Sequence, residues 1–327
     1  FALVVQNFKK NGNFIRTKGR TDMNKTKETK QIIFDTDIGM DCDDAAALGI
    51  LLNAHKRGEC EILAITASTG RDGATATVNA ICDYYGVNGI PVGRMKRMLQ
   101  CDGVNNYARA VMEKYGTEDV ETDAVPLLRK TLAEAAEKVS VIAVGPLSNL
   151  EELLKSKADE FSPLCGADLV KQKVDKLYVM IGSFPQNFDG KRFREWNLLQ
   201  DVPAARYVIE NWGTKKVYLP FEIGAAVFTE MGQNENPVWY SMKNFAIANG
   251  ADISNGYRRE SWDPVTCMIA LNENNPLFIY SPEGTVTVDG DCVTLFEEKT
   301  GGLDKYLSVN SDLKGIEKLL NLSVEKK

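Results

Sequence analysis

From residue 31 onward, short β-branched runs alternate with longer amphipathic stretches, and this alternation narrows the fold more than any other feature of the chain. Runs at 31–35, 61–67, 139–144, 176–181 and 215–219 read as strands. Helix-period stretches cover residues 44–57, 74–86, 125–138, 147–156 and 201–212 between them. A βαβα order predicts an α/β fold: an open, mostly parallel sheet with helices on both faces, in a single domain. Such sheets bind ligands outside the carboxyl ends of their strands. Residues 278–296 alternate polar and apolar side chains around Asp289-Gly290, which predicts a hairpin, and a last helix is expected at 311–322. No repeat and no Pro/Gly linker divides residues 31–327. The first 30 residues are polar and basic (Lys9, Lys10, Arg16, Lys18, Arg20, Lys25, Lys27, Lys30) and are expected to form a disordered tail.

Charge and composition exclude several classes of function. With 39 Lys and Arg against 45 Asp and Glu, the formal charge is -6, which repels nucleic-acid phosphates. No apolar run reaches membrane-spanning length, so no membrane partner is expected. The opening Phe1-Ala2-Leu3-Val4-Val5 is too short for a signal core, although a signal peptide cleaved before residue 1 is compatible with the sequence. Seven cysteines form an odd set with no CxxC pair, which favours free thiols and a reducing, cytoplasmic location.

The segment from Asp35 to Asp44 (DTDIGMDCDD) holds five carboxylates in ten residues, and no Lys or Arg follows before Lys56. Ile32-Ile33-Phe34 places this run at the carboxyl end of a buried strand, and the Ala/Leu-rich residues 45–52 place it at a helix start. Capping and the helix dipole account for one or two such aspartates. Five call for a hard cation with oxygen ligands, and calcium tolerates irregular loop geometry better than magnesium does. An EF-hand fails as an explanation, because its twelfth position, counted from Asp35, is Ala46. A haloacid-dehalogenase-type phosphatase also starts with DxD, but it carries Thr or Val where this chain has Gly39 and lacks the Asp43-Asp44 pair.

Four segments, in order, resemble the nucleoside hydrolases: the acidic run with Ala45; Ala143 to Asn149 (AVGPLSN); Glu195-Trp196-Asn197 followed by Asp201 to Ala205; and Ser261-Trp262-Asp263-Pro264. The Asp43-Asp44 pair lies two residues further on than in the shortest form of that motif. The resemblance implies a Ca2+ site in which Asp37, Asp44 and Asp263 ligate through side chains and Val144 through its carbonyl. Asp43, Asn187, Glu195 and Asn197 are then expected to bind the ribose hydroxyls, while Asp35 holds the loop from behind. The implied reaction is hydrolysis of the N-glycosidic bond of ribonucleosides, with purine nucleosides slightly preferred. In it, calcium acidifies and orients a water, Asp37 takes its proton as general base, and surrounding carboxylates favour an oxocarbenium-like transition state. Similar proteins are commonly homo-oligomers.

Two departures stand out. Where many relatives carry His before the last calcium ligand, this chain has Trp262, a pattern similar to purine-preferring members in which an indole stacks on the base and aids its departure. The only histidine, His55, lies in the polar helix end Ala54-His55-Lys56-Arg57 and reads as a surface residue. Ala67 to Arg71 (ASTGR) stands where relatives offer an Asn. The missing histidine also admits a different reading, a calcium- and ribose-binding homologue impaired in hydrolysis.

Overall fold

The computed structural model describes residues 29–99, 107–184, 192–232, 235–309 and 312–326. Asn187, Cys101 and the basic tail through residue 28 lie outside the described residues. The amino-terminal half runs β1 (Lys30–Thr36), α1 (Asp43–Lys56), β2 (Cys60–Ala67), α2 (Ala74–Tyr85), β3 (Val92–Arg94), α3 (Ala108–Tyr115), α4 (Ala124–Glu134), β4 (Val139–Ala143), α5 (Ser148–Lys155), α6 (Gly166–Lys173) and β5 (Val174–Met180). The remainder runs α7 (Trp196–Gln200), α8 (Val202–Asn211), β6 (Lys215–Leu219), α9 (Phe221–Gly224), β7 (Phe228–Glu230), α10 (Pro237–Ala248), β8 (Arg258–Glu260), α11 (Trp262–Leu271), β9 (Phe278–Tyr280), β10 (Gly284–Val288), β11 (Thr294–Glu298), β12 (Asp304–Val309) and α12 (Leu313–Val324).

The expected α/β architecture is present. The sheet is ordered β11-β10-β12-β6-β5-β4-β1-β2-β3 and is parallel from β12 through β3. After β1 the chain fills one side with β2 and β3, then crosses back to lay β4, β5 and β6 on the other. The strand order therefore reverses between β1 and β4, and ligand crevices form beyond the carboxyl ends of strands at such a point. Thr36 and Ala143 end these two strands, so the segments after them share that crevice.

Alternation along the strands feeds two cores. Ile32, Phe34, Ile142, Tyr178 and Met180 join one, beneath α1, α2, α11 and α12; Ile33, Val141, Ala143, Leu177 and Val179 join the other, beneath α4, α5, α6 and α8. Residues Asp43 to Ala54 of α1 are all buried. A helix apolar on every side belongs inside a protein, and here it brings Asp43 and Asp44 with it.

Two expectations need correction. The helix foreseen to residue 138 stops at Glu134, because Ala135 turns extended. The region 278–296 is not a single hairpin: β10 pairs β11 around the Asp289 turn, whereas β9 pairs β12 antiparallel. Pro282 lies between β9 and β10 and cannot donate to a ladder. A two-stranded ribbon, β7 with β8, stands apart from the main sheet. Among the described residues no helix is long and apolar enough to cross a membrane, and six cysteines are free thiols.

Gly49, in the middle of α1, supplies a test of this packing. Gly→Ala inside a helix usually gains roughly 0.5–1 kcal/mol. A Cβ at Gly49, however, would lie 2.5 Å from the Tyr85 hydroxyl oxygen, which donates to the Val324 carbonyl. Gly49→Ala is expected to destabilise by about 1–3 kcal/mol in urea unfolding, and adding Tyr85→Phe should recover part of the loss.

Candidate active site

The loop after β1 is held in place mainly by its backbone. Met40 donates to the Asp37 carbonyl at 2.9 Å, and Gly39 takes φ +106°, a conformation open to glycine. The Tyr107 hydroxyl accepts from the Gly39 N–H at 2.9 Å and donates to the Asp41 carbonyl at 2.7 Å. Arg71 donates to the Gly39 carbonyl at 3.2 Å. These contacts turn the chain so that α1 begins at Asp43 with two carboxylates in its first turn. Asp263 lies in the first turn of α11, and its N–H donates to Asp43 Oδ2 at 3.0 Å. Two helix amino termini thus meet, and their partial positive charge favours the carboxylates gathered there.

Asp37, Asp44 and Asp263, all buried, each offer an oxygen within 4.8 Å of the other two. Two ligands of one calcium, each about 2.3–2.6 Å from it, are at most about 5 Å apart. The all-oxygen set suits a hard cation. Asp44 accepts from the Thr36 hydroxyl through Oδ1, while among the described residues its buried Oδ2 has no hydrogen-bond partner. That orphaned oxygen fits a ligand atom. A Cβ at Gly145 would lie 2.7 Å from Asp37 Cβ, so only glycine admits the Asp37 carboxylate here. Val144 lines the same cavity; its carbonyl accepts from Asn197 Nδ2 at 3.0 Å and retains a second lone pair.

The cavity measures about 570 Å³ and has an acidic floor of Asp37, Asp43 and Asp263. Glu195 and Asn197 line it too, but the Glu195 carboxylate also caps α7, accepting from the N–H groups of Asn197, Leu198 and Gly182 at 2.7, 3.0 and 3.1 Å. Asp35 sits behind the floor, fully buried, accepting from the Thr66 hydroxyl and from Asn149 Nδ2 at 2.7 Å. Phe221, Phe245 and Trp262 form an aromatic wall. Trp262 stacks on Phe221 with centroids 5.5 Å apart, and its indole N–H donates to the Phe221 carbonyl at 2.8 Å. Gly224 lets the α9 backbone meet that ring, since a Cβ there would lie 2.1 Å from Trp262 Cδ1.

Sequence reasoning missed the cationic part of the cavity, Arg71 and Arg259. Arg259 pairs with Asp41 through two hydrogen bonds, one of them 2.9 Å. These residues are 218 positions apart, and no local signal links them. His55 is remote: it sits at the far end of α1, roughly 18 Å along the helix from Asp43, and its Nδ1 accepts from the Ile62 N–H.

Burial, then neighbouring carboxylates, raise the pKa values of Asp43, Asp44 and Asp263 well above the usual range. Burial first, and the charge of Asp41 second, push Asp37 up to about 8; burial pushes Asp35 and Glu195 up to about 7. Between the ordinary aspartate value of 3.8 and these raised values, the cation-free native state binds more protons than the unfolded chain. Its stability therefore falls as pH rises across that window. Thermal melts of chelator-treated protein should show Tm dropping from about pH 4 toward about pH 8. Added calcium should raise Tm most at the upper end, because the cation binds the deprotonated carboxylates.

A family model for the inosine-uridine preferring nucleoside hydrolases matches residues 32–312. Uridine nucleosidase 1 of Arabidopsis thaliana is 28% identical over 192 residues, which cover 55% of this chain and 53% of that protein. The pyrimidine-specific ribonucleoside hydrolase RihA of Citrobacter koseri is 28% identical over 193 residues, covering 55% and 56%. The chain spans about half the length of the curated relatives it matches. A solved inosine-guanosine nucleoside hydrolase superposes with a TM-score of 0.65 at 18% identity, covering 91% of this chain and 99% of that one, and so shares the fold. Matched over most of its length by that family model, the chain belongs to the inosine-uridine preferring nucleoside hydrolase family.

Proposed function

We propose that this chain hydrolyses the N-glycosidic bond of ribonucleosides to ribose and free base, with calcium as its cofactor and purine nucleosides slightly preferred. One observation carries this reading. The buried carboxylates of Asp37, Asp44 and Asp263 converge within 4.8 Å; Asp37 and Asp263 line the cavity at the sheet's switch point, and Asp44 Oδ2 has no hydrogen-bond partner among the described residues. Asp37, Asp44, Asp263 and the Val144 carbonyl would hold calcium, which supplies the charge that acidifies a water and grips vicinal hydroxyls.

Asp37 acts as general base: held beside calcium its carboxylate is deprotonated and can take a proton from a neighbouring water. Asp43, Glu195 and Asn197 face the ribose hydroxyls, and the carboxylates among them favour positive charge on the sugar. The aromatic wall offers Trp262 as a stacking surface for the base. Purine preference rests on that wall, while the names of the relatives refer to both pyrimidine and purine nucleosides.

A ribonucleoside panel read by a reducing-sugar assay, with and without chelator, tests the proposal. Ribose should appear, faster from inosine than from uridine, and chelation should abolish it. Nucleoside binding without ribose release would instead identify a ribose-binding homologue impaired in hydrolysis, and phosphate release from phosphomonoesters a phosphatase. Asp44→Ala should lose both bound calcium, by elemental analysis, and activity. Because both ring hydroxyls are held by buried polar groups, 2′-deoxyinosine should be slower by on the order of 1000-fold in kcat/KM; equal turnover would refute this account of the sugar site.

A further inference from the structure

Departure of the base requires a group that stabilises negative charge on its nitrogen, and neither the carboxylate floor nor His55 nor Trp262 supplies one. His55 is outside the cavity. The Trp262 indole N–H is committed to the Phe221 carbonyl. Two cationic side chains line the cavity. Arg71 is 2% exposed and bonded to Gly39 in the loop beside Asp37. Arg259 lies against the aromatic wall, its guanidinium carbon 4.9 Å from the Phe245 ring centroid and 5.0 Å from that of Trp262.

We propose that Arg259 is the hydrogen-bond donor that stabilises the departing base, an inference that rests on the hydrolase reading above. Ribose held at the carboxylate floor turns its base toward the aromatic wall, and Arg259 is the cation on that wall. Three of its five N–H groups are used, two on Asp41 and one on Glu260 at 3.0 Å, which leaves one on each terminal nitrogen. The pair with Asp41 fixes the orientation of the guanidinium. Asp41 lies in the loop between β1 and α1, so that loop anchors the donor in a cavity without a histidine in its lining.

As the bond from C1′ to the base nitrogen breaks, its electron pair stays on the base and C1′ becomes an oxocarbenium centre. Water attacks that carbon and gives its proton to Asp37. The guanidinium keeps its own protons and donates hydrogen bonds to the anionic base, which then takes a proton from solvent, while Asp37 returns one to solvent. The sum is nucleoside plus water to ribose plus base.

The test compares wild type, Arg259→Gln and Arg259→Lys on inosine and on a nitrophenyl riboside, whose leaving group needs no assistance. Folding and calcium content are checked in each. Arg259→Gln should lower kcat for inosine by on the order of 100-fold and for the nitrophenyl riboside by less than about threefold. Across nitrophenyl ribosides of graded leaving-group pKa, the rate should depend on that pKa more steeply than in wild type. Arg259→Lys keeps the charge without the two-pronged pair to Asp41 and should fall between, so it carries the test if Arg259→Gln does not fold. Equal losses on both substrates, or none, overturn the proposal while leaving the hydrolase reading intact. Failure of wild type to cleave either substrate overturns both.

Discussion

Repulsion among buried carboxylates is the constraint on which the rest of this structure depends. Asp37, Asp43, Asp44 and Asp263 are each at most 4% exposed, and burial first, then the charge of neighbouring aspartates, raises their pKa values. A fold that gathers them has to offset both desolvation and mutual repulsion. It does so with neutral donors and oriented dipoles as well as charge. Thr36 donates to Asp44, the Asp263 N–H donates to Asp43, and the amino termini of α1 and α11 point into the cluster. Arg259 lowers the pKa of Asp43 without bonding to it. What remains uncompensated is an affinity for a cation, and stability is thereby linked to metal binding.

The scaffold can bear that load because α1, which carries two of the carboxylates, is buried from Asp43 to Ala54. Helix α1 is packed between the sheet and other helices, so Asp43 and Asp44 cannot swing into solvent without disturbing the core. Gly145 lets β4's extension pass within contact of Asp37, and Gly224 lets α9 pass against Trp262. Each glycine marks a place where two segments approach more closely than a side chain allows. Switch-point topology makes these approaches coincide, since β1 and β4 are neighbours in the sheet though more than a hundred residues apart in sequence.

Five parallel strands and the helices between them were legible because continuous runs such as Ile32-Ile33-Phe34 report burial on both faces. The Asp289 turn was legible from its own residues. Pairing partners were not: β12 lies parallel to β6, and β9 joins β12, because which strand meets which is decided by the whole chain. Strands of three residues, such as β7 and β8, carry too short a pattern to recognise. In the site, Asp37, Asp44 and Asp263 were foreseen as one group through motif resemblance, and the structure gathers them. Glu195 has a structural task that its motif did not reveal, capping α7. Arg259 was illegible, since its meaning comes from Asp41 and two aromatic rings, all distant in sequence except Trp262.

Breaking a carbon–nitrogen bond heterolytically creates two opposite charges a few ångströms apart, and a site that favoured only one of them would leave the other as the barrier. Carboxylates on the floor suit the sugar cation; a guanidinium against Phe245 and Trp262 suits the base anion. Arg259 lies near enough to Asp43 to lower its pKa, but its hydrogen bonds go to Asp41 and Glu260, so no floor carboxylate is neutralised by direct pairing with it. Asp41 is what keeps Arg259 at the wall. Its carboxylate takes Nε and one terminal nitrogen, Glu260 takes the other, and one N–H on each terminal nitrogen stays available. On this reading the loop between β1 and α1, through Asp41, fixes a cation beside the carboxylate floor, so that each fragment of the substrate meets the opposite charge.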